Sequence, residues 1–92
     1  MTQTHTVDNL YTFITNSRKM DDLDAQIKQK VDLLKHLEQL EKIYEDLGKE
    51  TMLDKTTECY NRVLADILTL QLRRNKLERE ILMFQLKALF EE

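Results

Sequence analysis

A single glycine and no proline in 92 residues leave this chain almost no means of turning. Sandwiches, barrels and nucleotide-binding α/β folds need many turns, and glycine and proline make them cheap. One glycine, Gly48, permits one sharp reversal, so the chain must be built from long helices. The same scarcity argues against an enzyme, because active sites are usually assembled on loops held by a rigid scaffold.

Hydrophobic spacing divides the chain into three helical stretches. Val7, Leu10, Tyr11 and Ile14 share one face of a short helix over 7–15, with Phe13 beside them and Thr6 as its N-cap. Residues 1–5 are expected to be disordered. Asn16-Ser17 reads as a break, with Ser17 capping a second helix over 18–47. In that helix Met20, Leu23, Ile27, Val31, Leu34, Leu37, Leu40, Tyr44 and Leu47 recur at steps of three and four, and Leu33 and Ile43 widen the stripe. Gly48 stops it, since the left-handed backbone of a helix C-terminus favours glycine. A turn over 48–50 follows. Thr51 and Asp54 then resemble a capping box opening a long helix over 51–90. Leu53, Tyr60, Ile67, Ile81 and Ala88 fall on one heptad position of that helix, and Thr56, Val63, Leu70, Leu77 and Phe84 on its companion. Arg74 interrupts the first series. A polar seam residue of this kind fixes register at some expense of stability.

The expected fold is therefore all-α: an antiparallel, coiled-coil-like helical hairpin with a short N-terminal third helix, one domain over 6–92. A reversal at Gly48 pairs residues whose numbers add to about 100, so that Leu37 meets Val63 and Leu23 meets Leu77. On this reading the second long helix outlasts the first by about ten residues. Those ten, ILMFQLKALF at 81–90, include eight apolar residues and cover every side of a helix. Leu64, Leu68 and Leu72 form a second surplus that leans away from the seam. Contiguous apolar surface marks contact sites, and a hairpin this small has little core of its own. The expected interface is Leu64, Leu68, Leu72, Leu82, Met83, Phe84, Leu86, Leu89 and Phe90. The expected partner is a further copy of the chain (a dimer or higher) or another helical protein.

The chemical candidates are few. His36 follows Asp32 by one helical turn, but a metal site needs three or four converging ligands, so no metal and no other cofactor is expected. Cys59 is the only cysteine. It allows no intrachain disulfide, reads as a small half-buried packing residue, and points to a reducing intracellular compartment, cytoplasmic or nuclear. The N-terminus lacks the pattern of a signal peptide, and no apolar run is long enough to span a membrane. The C-terminal segment has Lys87 as its one base and lacks the basic face of a membrane-surface helix. The net charge of −3 argues against general nucleic-acid binding. Residues 21–50 carry nine acids and five bases, whereas 73–92 carry five bases and four acids. Arg73, Arg74, Lys76 and Arg79 are the sharpest polar cluster. They read first as partners of Asp21, Asp22 and Asp24 within the hairpin, and alternatively as a contact to phosphate or an acidic surface.

The functional expectation is a non-catalytic structural or adaptor subunit that assembles by helix–helix packing. The alternative is a small regulator or inhibitor, for example a phage-encoded one, that binds nucleic acid or a nucleic-acid enzyme through 73–79.

Overall fold

The computed structural model describes residues 2–90, with side-chain surroundings from residue 10 onward. Two helices account for it: α1, Thr2–Asp46, and α2, Glu50–Phe90, packed side by side along their length. At about 1.5 Å per residue, the 45 residues of α1 give the 69 Å long axis of a rod only 16 × 14 Å across. This is the antiparallel hairpin that the heptads and Gly48 demand.

The turn follows from backbone hydrogen bonding. Gly48 takes φ +68°. The Lys49 N–H donates to the Tyr44 carbonyl at 3.0 Å and the Gly48 N–H to the Glu45 carbonyl at 3.1 Å. This pair of bonds is a Schellman ending, which satisfies carbonyls that a helix otherwise leaves open. The reversal uses only Leu47–Lys49, so α2 starts one residue earlier than the sequence reading had it. Lys49 accepts the first bond of α2, from the Leu53 N–H at 2.9 Å. Thr51 thus lies inside the first turn, and the Thr51–Asp54 capping box is not the start of the helix. A side chain at Gly48 would meet no atom within 4 Å. Gly48→Ala is therefore expected to lower stability by about 1 kcal/mol through backbone strain alone, with Gly48→Asn milder, as chemical denaturation of the two variants would show.

The third helix is a correction. The chain passes through Thr6 and through Asn16-Ser17 without a break, and residues 2–5, expected to be disordered, are already helical, while Met1 lies outside the described residues. Asparagine and serine are weak helix formers, but neither breaks a helix as proline does, and the penalty is a fraction of a kcal/mol per residue. The seam supplies more than that. Phe13, Asn16, Met20, Leu23 and Ile27 continue one heptad at steps of three and four, and all five are half-buried. The Phe13 ring stacks on Phe84 with centroids 5.3 Å apart. The N-terminal stretch therefore pairs with the end of α2 as part of α1, so the two helices are nearly equal in length.

Leu37, Val63 and Ile67 form the buried cluster at mid-rod, with Val31, Leu34 and Tyr60 packed on it. Leu70 is buried further along. On α2 the heptad reading is correct for Leu53, Thr56, Tyr60, Val63, Ile67, Leu70, Leu77, Ile81 and Phe84, all buried or half-buried, while Ala88 is exposed. On α1 the reading is partly displaced: Lys30 and Glu41 occupy inward positions, while Leu33, Leu40, Ile43 and Leu47 face outward. Contacts across the hairpin join residues whose numbers add to 96–98, a little less than 100. The tighter turn accounts for the offset.

Candidate protein-contact surface

Polar residues inside the seam set the register before any surface is considered. Arg74 donates to Asp24 on α1 and, at 3.2 Å, to Glu78 one turn along α2. Its guanidinium is held above its ordinary pKa, first by the hydrogen bond to Asp24 and then by that carboxylate's charge. Lys30 bridges to Asp66 at 3.5 Å, and the Tyr60 hydroxyl donates to Glu38 at 3.2 Å. The buried Thr56 hydroxyl is satisfied by the Met52 carbonyl of its own helix at 2.8 Å. Exposed ion pairs add little stability. Three such clamps spaced along the rod still disfavour a slipped pairing, which would leave polar groups facing apolar ones.

The Tyr60 phenol illustrates the coupling. Its pKa is raised above the ordinary tyrosine value, because ionisation would break the hydrogen bond to Glu38; partial burial and the charges of Glu38 and Glu41 act in the same direction. A folded pKa above the unfolded one means that the unfolded chain loses this proton first as pH rises. The stabilisation is therefore fully present below about pH 10 and fades above it. Glu38→Gln is expected to bring the phenol back towards its ordinary value. Ultraviolet titration of the tyrosines, with Tyr60→Phe to assign the signal, checks this.

The basic stretch divides. Arg74 belongs to the seam, as the charge pattern suggested, with Asp24 as its acid. Arg73, Lys76 and Arg79 are exposed, with Glu78 and Glu80 among them. His36 points its Nδ1 at the Asp32 backbone carbonyl, 2.8 Å away. Among the described residues no three histidine, cysteine or carboxylate side chains converge on a metal-sized site. Cys59 is exposed rather than half-buried, because it lies on the flank of α2 beside the seam. No described helix is long and apolar enough to cross a membrane.

The expected interface residues separate into two groups. Phe84 is a correction: it faces α1 and stacks on Phe13, so its role is inside the hairpin. Leu64, Leu68, Leu72, Leu82, Met83, Leu86, Leu89 and Phe90 are all exposed, from 39% at Leu64 to 84% at Phe90. At 100° per residue these eight lie within about one third of the helix circumference, on the side of α2 away from α1. The surplus at 64–72 and the surplus at 82–90 are thus parts of one face, interrupted by Asn75, Lys76 and Arg79. A second outward patch was not singled out from the sequence as a surface. Leu33, Leu40, Ile43 and Leu47 share a face of α1 near the turn, and all four are exposed. The signal was present in their spacing, but it was absorbed into an over-wide internal stripe. No protein-family model, curated protein or solved structure matches the chain.

Proposed function

We propose that this protein is a non-catalytic structural or adaptor subunit, a helical rod that assembles with other helices through the outward face of α2. The observation that carries this reading is the apolar face of α2, exposed from Leu64 to Leu72 and again from Leu82 to Phe90 and left uncovered by α1. Core residues reach burial at only a few points of the rod, and among the described residues none of the large side chains is fully enclosed. Apolar surface of this extent on a thin hairpin gains most by packing against another helix, and four-helix arrangements are the common outcome. The alternative regulator would rest on Arg73, Lys76 and Arg79, whose charge is diluted by Glu78 and Glu80 and which lose Arg74 to the hairpin.

Native-gel or size-exclusion mass of the tagged chain in its own cell extract tests the proposal. The wild type is expected to run as a multiple of the 11.0 kDa chain, and Leu86→Asp is expected to run well below the wild type. Equal masses for the two would remove the outward face as the assembly surface.

A further inference from the structure

We infer that the occupant of this face is a second copy of the chain, with α2 antiparallel to its copy and the two-fold axis level with residue 77. The inference rests on the assembly reading above and names its partner.

The ground for it is a second heptad seam on the same helix. Leu68, Leu72, Asn75, Arg79, Leu82 and Leu86 follow one another at steps of four, three, four, three and four. That is the spacing of knobs-into-holes packing. All six are exposed, the four leucines by 46–71%. The internal seam of α2 runs through Ile67, Leu70, Arg74 and Leu77, so in a seven-residue frame the two seams lie about 150° apart. One helix can therefore carry α1 on one side and another helix on the other.

The second seam reads the same in both directions about residue 77. In an antiparallel pair Leu68 meets Leu86 of the second copy, Leu72 meets Leu82, and Asn75 meets Arg79. Leucine layers then flank two symmetry-related polar layers, one on each side of the axis, and polar layers of this kind fix register and orientation in coiled coils. An interface between identical subunits must be self-complementary, and this pattern is. A parallel pair would instead stack Arg79 on Arg79 in one layer. The flanking charges agree with the antiparallel choice: Glu80 comes level with a point between Arg73 and Lys76 of the second copy. The two Arg79 residues lie about 6 Å apart along the axis, and each faces Asn75 of the other copy rather than the like charge.

The test uses the purified full chain with Cys59→Ser, because Cys59 is the only cysteine. Equilibrium sedimentation should give twice the 11.0 kDa chain mass. In that background Lys76→Cys should form a disulfide with its own copy on mild oxidation, since the two positions lie about 3 Å apart along the axis. Thr69→Cys should not link to itself, because its two copies lie about 24 Å apart, but should link when mixed with Met83→Cys. All three positions are exposed, so the hairpin is not disturbed. Arg79→Leu should tighten the dimer at least tenfold. Self-linking of Thr69→Cys, or failure of Lys76→Cys to link, overturns the antiparallel geometry. A purified chain that is monomeric, yet runs in a large assembly in extract, overturns the second copy and leaves the adaptor reading standing. A chain monomeric in both settings removes both.

Discussion

Ile67→Asp is expected to abolish most of the helical circular dichroism of the purified chain at 25 °C at every chain concentration, whereas Leu68→Asp at the next position is expected to move the rise in helicity to higher concentration without abolishing it. Ile67 belongs to the buried cluster with Leu37 and Val63. Truncating a buried isoleucine to alanine costs about 2–5 kcal/mol, and an unpaired buried carboxylate adds several kcal/mol more. Among the described residues the buried apolar ones are Leu37, Val63, Ile67 and Leu70, a core comparable to those of smaller domains, which supply about 3–5 kcal/mol. The substitution therefore exceeds what holds the hairpin together. Leu68 is one residue away and 56% exposed, so aspartate there stays hydrated and affects association instead. The paired comparison separates the two seams of α2 by one step in sequence. Similar losses of intrinsic hairpin stability in both variants would contradict the division between internal and outward faces.

Phe13→Ala should release the N-terminal turns of α1 while leaving the middle of the rod intact. The Phe13–Phe84 stack is the aromatic contact that ties this part of α1 to the end of α2. A helix end without tertiary support is marginal in water, because isolated short helices are. Complete burial of a phenylalanine is worth about 3–5 kcal/mol. Phe13 is half-buried, so about half of that range is at stake, and the loss falls on the terminus. Hydrogen exchange should rise sharply for amides before about residue 20 and little around Leu37. Unchanged protection at 10–18 would mean that the stack does not hold the helix there.

Much of this architecture is legible in the residues, and the misreadings have identifiable causes. Gly48 and the heptads of α2 specify the hairpin because each needs one local rule, a left-handed stop or a repeat of seven. Arg74 could be assigned to the internal seam because its acid, Asp24, falls opposite once the chain is folded. Asn16-Ser17 misled because local propensity favours a break there, while the deciding contact, Phe13 on Phe84, joins residues far apart in sequence. The outward patch at Leu33, Leu40, Ile43 and Leu47 was hidden for a related reason. A stripe wider than one seam can serve one broad interface or two narrow ones, and only the placement of Lys30 and Glu41 toward α2 separates them. Glu41 also keeps one carboxylate oxygen shielded from solvent without a protein hydrogen-bond partner, a departure from the apolar seam that spacing alone does not reveal.

On the proposed function, the hairpin gains much of its stability when a partner covers the outward face of α2. The most direct measurement is absolute mass by light scattering, recorded with helicity, on the purified chain over a wide concentration range. Helicity and mass should rise together, or the chain alone should stay poorly helical until a partner is supplied. A fully helical species of 11.0 kDa, with an unfolding temperature independent of concentration, would contradict it.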